Sequence, residues 1–490
     1  MKKAVILPLV AAISGVLVGC NSSSGGSSGG STTKFTLSFA TPNYVTDSST
    51  SCTIYKQSSD ANGNEQYLTY NSASNDVASQ YIVGYISDAD GVRQGEYLVP
   101  SSASLSFTLE SIPEDGSFTL QEFRYGNKDI LATTFSKSFL EDESLRSVTF
   151  GMDKDAGTGS CIAGNNYQEV SLTDLKYTNG TSSTGNYFFV SQVDELESYN
   201  SELESTAPLA AVSGEPTVIL QYNTDGDINQ FGVGSWGSSS ILMEQASTTT
   251  FINNYSTNTY SHLDLLLHSD GYAYTANSYD NSVTQTTMPN DTRGSETWAY
   301  SVDLDDVNGW SLQYGNALVL GDDMAIRVDE LFDTTNLPLE SELPTVTSNG
   351  DTVDIAVNLD VDDELGFQRI AYKTSYTEGV NSYTVTHKLY SDVDSSVTVP
   401  VLYYGSTISD SVAANLLPST ASSFNRAIYI QEDETTLIDA SVFMAQFAHG
   451  DSIDTELALD IDGLLASQIE QDSNAITISE QHHIQVQRFD

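Results

Sequence analysis

The segment NTDGDIN places Asn223, Asp225, Asp227 and Asn229 at every second position. Carboxylate and amide oxygens at that density are the hard ligands that Ca2+ takes. Two further oxygen-rich stretches are DKDAG at 153–157 and DVDDE at 360–364. Each by itself is more often a solvated turn than a metal site, because Asp, Asn and Gly are the residues that turns use. The stretch SHLDLLLH at 261–268 offers a second chemistry. As a strand it puts His262, Asp264, Leu266 and His268 on one face and Leu263, Leu265 and Leu267 on the other. The leucine face must be core, which leaves the imidazole–carboxylate face to solvent or to a groove. His262 and His268 would lie ~20 Å apart along such a strand and cannot share one ion. Only His262 and Asp264 come within reach of each other, and a solvated strand face is the simpler account of the pair. His482 and His483 would point to opposite faces of a strand and make a poor chelate.

The 223–229 spacing resembles the start of an EF-hand calcium loop. It departs from that pattern in having glycine at the fourth position instead of the sixth and no glutamate at the twelfth. Calcium is therefore the one cofactor to consider, with Asn223, Asp225, Asp227 and Asn229 as its candidate ligands. No G-x-S-x-G and no H-E-x-x-H occurs, so the usual serine-hydrolase and zinc-protease signatures are missing. A carboxylate pair for glycoside hydrolysis cannot be located among 66 acidic residues, since that signature is a distance in space.

Those 66 acids face 18 Lys and Arg in a chain of 490 residues, a net charge of −48. Nucleic-acid binding needs clustered cations and is excluded as an expectation. A direct grip on anionic lipid is disfavoured for the same reason. Three cysteines are present. Cys52 and Cys161 are expected to pair in an oxidising compartment. They would close a loop of roughly a hundred residues, for which chain entropy allows ~4–5 kcal/mol.

The elements that must position these groups are strands. Phe35, Leu37 and Phe39 alternate with polar residues; so do Leu105, Phe107 and Leu109, then Trp298, Tyr300, Val302 and Leu304, then Val353, Ile355, Val357 and Leu359. Period two is the signature of half-buried strands. Turn clusters such as 113–116, 225–227 and 348–350 separate them. Only 194–204 and 410–417 read as short helices. The expectation is an all-β, multi-domain chain: a β-sandwich at 34–165 and further sandwich-like domains at 166–340 and 341–490. A β-propeller over 170–490 is the alternative, although no fixed repeat period supports it. The hairpin at 105–123 is similar to those of Ig-like and transthyretin-like modules, over one hairpin only.

Lys2 and Lys3 precede an apolar run from Ala4 to Val18. The run is shorter than the ~20 residues of a spanning helix and has the parts of a secretory leader. Its end, Leu17-Val18-Gly19-Cys20, resembles the lipobox of bacterial lipoproteins. The resemblance implies cleavage before Cys20 and acylation of that residue, because several acyl chains give stable membrane residence. Asn21 follows in place of the aspartate that favours inner-membrane retention, which implies the outer membrane; which face is exposed stays open. Residues 21–33 are Ser- and Gly-rich and behave as a flexible tether of roughly 20 Å. The functional expectation is a structural or binding lipoprotein of the cell envelope, with a protein or glycan partner. A carbohydrate-active or other hydrolase on a β-scaffold is the alternative. A cleft that gathers carboxylates with aromatics would discriminate between them.

Overall fold

In the computed structural model the chain is nearly all β. The structure describes residues 32–162, strands between 172 and 318, and 345–356, 366–431, 439–444 and 483–489, with short gaps inside these ranges. Cys20, the lipobox, the stretches at 153–157 and 360–364, and His482 lie outside the described residues.

A twelve-stranded sheet forms the centre. Its order is Tyr272–Asp280, Tyr260–Ser269, Thr297–Val307, Trp310–Ala317, His483–Phe489, Ser423–Gln431, Gly366–Glu378, Asn381–Asp392, Asp129–Ser136, Ser117–Arg124, Ile82–Ser87 and Arg93–Leu98. Neighbours are antiparallel except at one seam, where Asp129–Ser136 runs parallel to Asn381–Asp392.

Strands from all three expected segments take part in this sheet, and several smaller sheets accompany it, as expected of a multi-domain all-β sandwich chain. Turn-rich connectors mark where the chain bends. They carry no information on which distant strand a given strand will pair with. The propeller alternative fails on the same observation: blades are separate small sheets, whereas strands from 260 to 489 here continue into strands from 82 to 136.

Two layers cover the central sheet. On one face lies a smaller sheet built on Lys34–Val45, Glu65–Ser72, Ser104–Thr108 and Ser147–Gly151. Phe35, Leu37, Phe39, Leu105 and Phe107 point inward from it and meet Phe118, Leu120 and Phe135. The Phe107 and Phe118 rings stack at 3.9 Å. The alternation seen in sequence is thus spent on a sheet-on-sheet interface, as in a sandwich. The Cys52–Cys161 disulfide ties this layer, with Cα atoms 5.5 Å apart and Cys161 bridged to Asn71. On the opposite face, Val218, Leu220 and Phe231 from the strands Pro216–Tyr222 and Ile228–Ser235 pack on Leu263, Leu265, Leu267, Trp298 and Tyr300.

The expected helix at 194–204 is instead the strand Glu195–Asn200, paired with Tyr187–Gln192. An available partner strand overrides a weak helical preference, since strand formation is set largely by context. The expected helix at 410–417 is present as the short α-helix Asp410–Ala413, capped by Ser409.

Candidate functional site

A cleft of about 760 Å³ opens at one end of the parallel seam. Its floor is Thr134, Ser136, Leu389 and Ser391, and its wall is Ser396, Val397 and Thr398. Three loops form the rim: Asp88-Ala89, Glu114 to Ser117, and Lys137 to Glu141.

Local chemistry fixes each loop. Asp88 Oδ1 accepts the backbone N–H groups of Asp90 and Val92 at 3.1 and 3.0 Å, and its Oδ2 accepts from the Gln94 amide. This is the self-capping that makes Asp a turn residue. The turn is docked on the wall through the Val401 N–H, which donates to Gly91 O at 3.2 Å. Gly116 is required for close approach, because a Cβ there would sit 2.5 Å from Ser87 O. Asp394 Oδ1 accepts from Ser396 N at 3.2 Å. From below, the Gln368 Nε2 group donates to the carbonyls of Asp392 and Asp394 at 3.0 and 3.1 Å.

Six carboxylates line the cleft (Asp88, Glu114, Asp115, Glu141, Asp392 and Asp394) against one cation, Lys137. Lys137 Nζ lies 2.8 Å from Glu114 Oε2. That hydrogen bond, reinforced by charge, holds the Glu114 carboxyl below its ordinary range. The same bond raises Lys137, with Glu141 and Asp115 adding to the field. Tyr390 is the aromatic residue of the lining, and it is buried.

Behind the floor runs a buried polar chain. Thr134 Oγ1 lies 2.8 Å from both Thr119 Oγ1 and His387 Nε2. The other ring nitrogen, Nδ1, is 2.9 Å from the Tyr372 hydroxyl. Every member is less than a tenth exposed. Burial pushes His387 down to about 3 and raises Tyr372 and Tyr85. A neutral imidazole donates from one nitrogen and accepts at the other, and the two hydroxyls can serve either tautomer. A strap, 399–418, covers this chain. Gln121 clamps Tyr403 in both directions, accepting from its N–H at 2.8 Å and donating to its carbonyl at 3.1 Å.

The residues singled out from sequence lie elsewhere. Asn223, Asp225 and Asp227 form the tight turn between Pro216–Tyr222 and Ile228–Ser235. Asn223 Oδ1 accepts from the N–H groups of Asp225 and Asp227 at 2.8 and 2.9 Å, so it is engaged inside the turn. Asn277 Nδ2 donates to Gly226 O at 3.2 Å, and Asn229 follows in the strand. His262 and Asp264 do meet, at 2.9 Å, and are partly exposed. Ser278 joins them, 2.6 Å from His262 Nε2 and 2.7 Å from Asp264 Oδ1. A hydrolytic relay needs serine and aspartate on opposite ring nitrogens. Both meet Nε2 here, so the trio is not wired for that chemistry. Burial raises Asp303 beside it, and the charge of Asp264 adds to the rise. His268 lies at the far end of the strand from His262. His483 starts the strand opposite Gly315.

Sequence reasoning missed the cleft and His387. The cleft is assembled from loops hundreds of residues apart. His387 did carry a signal: it falls in phase with Val385 and Leu389, on the core-facing side of its strand.

The fold and this geometry define a layered all-β protein with a polar, carboxylate-lined cleft. The chain matches no protein-family model and no curated protein. Among the described residues, no helix is long and apolar enough to cross a membrane.

Proposed function

We propose that the chain is a lipoprotein held at the outer membrane through Cys20, and that its folded layers bind a protein or glycan component of the envelope. The leader ending in Leu17-Val18-Gly19-Cys20 and the Ser/Gly tether support the anchor. The observation that supports binding over turnover is how the cleft carboxylates are engaged. Asp88 and Asp394 cap backbone turns, and Glu114 is tied to Lys137. A glycosidase acid must have its acidity weakened so that it stays protonated. Glu114 is moved the opposite way.

Two experiments test this reading. Wild-type protein should partition with detergent and Cys20→Ser should not. The soluble domain, residues 34–490, should be retained by isolated envelope material without releasing fragments from it. Release of sugar or peptide fragments, abolished by amide substitutions in the cleft, would establish the hydrolase alternative instead.

A further inference from the structure

We propose that His262, Asp264 and Ser278 form a binding site for a divalent transition-metal ion, on the sheet face opposite the leucine core. The inference goes beyond the binding role proposed above and uses none of the cleft residues.

Three donor atoms converge on one point. His262 Nε2, Asp264 Oδ1 and Ser278 Oγ form a triangle with sides of 2.6, 2.7 and 2.9 Å. Hydrogen bonding serves such a triangle poorly. The serine hydroxyl carries one proton and Nε2 at most one, so two protons must serve three contacts. A cation serves all three at once. Donors on adjacent corners of an octahedron, each ~2.1 Å from the ion, lie ~3 Å apart, so the side chains need spread only slightly to receive it.

The second observation is Ser301. It is 6 % exposed, and its Oγ has no hydrogen-bond partner. Asp264 is flanked in register by Ser278 on the edge strand and by Ser301 on the inner strand, so the three share a sheet face. The neighbours of Ser301 in its strand, Tyr300 and Val302, point the other way, into the core with Leu263 and Leu265. A buried hydroxyl without a partner calls for a missing ion or water. Water held by an ion at Asp264 would supply that partner.

The donor set selects the metal class. An imidazole nitrogen suits zinc, nickel or copper, whereas calcium and magnesium take oxygen. Among the described residues, no three of His, Cys, Asp and Glu gather at one ion, so a hydroxyl is the third protein donor and water completes the coordination. The side chains of His262 and Asp264 are 47 % and 30 % exposed, which leaves the outer side of the ion open to water. Asp303 stands opposite His262, its Oδ1 held by the Gln313 amide at 3.0 Å, and adds negative charge beside the ion. The donors sit on paired strands, which hold geometry better than loops do.

The test is calorimetric titration of the full chain, purified in detergent, with ZnCl2 in saline containing excess MgCl2 to occupy unspecific carboxylates. Wild type should show saturable binding. His262→Ala and Asp264→Asn should each weaken it by roughly tenfold or more, since even the partners behind metal ligands are worth that much, while circular dichroism stays unchanged. D225N/D227N, in an acidic turn elsewhere, should bind as wild type does. A second measurement needs no variant: Zn2+ should slow modification of His262 by diethylpyrocarbonate, read by peptide mapping. Absence of saturable binding in wild type overturns the proposal, and so does unchanged affinity in both folded single variants. Equal modification of His262 with and without Zn2+ overturns it too, even where the metal binds elsewhere on the chain. If either single variant fails to fold, the other and the protection of His262 carry the test.

Discussion

The Tyr372 hydroxyl and His387 Nδ1 meet at 2.9 Å between directly opposed positions of the Gly366–Glu378 and Asn381–Asp392 strands. Both residues are fully buried. The contact binds the parallel seam to the interior of the sheet, because the other ring nitrogen reaches Thr134 across that seam.

This gives a pH dependence with a definite sign. His387 titrates near 6.5 when unfolded and at about 3 when folded. Between those values the unfolded chain binds the extra proton, so stability falls as pH falls. The contribution is complete above pH 6.5 and is lost progressively towards pH 3, on the order of 5 kcal/mol in all. His387→Gln can keep a donor and an acceptor for the two hydroxyls. Its urea midpoint should vary less with pH than that of wild type between pH 6.5 and 4.5. Parallel curves would show that His387 is not the group responsible.

Gly366 starts its strand where a Cβ would overlap the carbonyl oxygen of Tyr429. Gly366→Ala should lower stability by ~1–3 kcal/mol, the usual cost of overpacking. Urea unfolding at pH 7 measures it, and a neutral result would mean that the strands separate easily at this end.

Non-reducing peptide maps of protein oxidised during export should show Cys52 linked to Cys161. Replacing both by serine should lower stability by up to ~4–5 kcal/mol, the loop-closure entropy of a cross-link this long. An unchanged melting temperature would mean that the layer is held by its aromatic packing alone.

Asn223→Ala removes the acceptor for two backbone N–H groups and should cost ~1 kcal/mol. If the 223–229 turn binds calcium, chelation should lower the melting temperature of wild type more than that of D225N/D227N. Sodium at equal ionic strength should not restore the difference. Equal recovery with both salts would reduce the effect to screening of a chain at net charge −48.

Much of the layer structure was legible in the sequence. Leu263, Leu265 and Leu267 were read as a core face, and each is fully buried. Phe35, Leu37 and Phe39 behave likewise. Period two survives in the structure because burial on one side of a sheet imposes it. The pairing of Asp129–Ser136 with Asn381–Asp392 was not legible, since any two strands with an apolar face satisfy the same local rule. The same holds for the cleft. Asp88, Glu114, Lys137 and Asp394 look like ordinary turn residues until the seam brings their turns together. Glu195–Asn200 misled for a related reason: its charged residues suit a helix surface, and the strand that captures it is not visible locally.

The strand His483–Phe489 lies between Trp310–Ala317 and Ser423–Gln431, in the interior of the sheet and away from its rim. Before those residues arrive, the central sheet is two unjoined halves with raw inner borders. One seven-residue strand is thus the sole splice between those borders among the described residues, and deleting it would leave both of them unpaired.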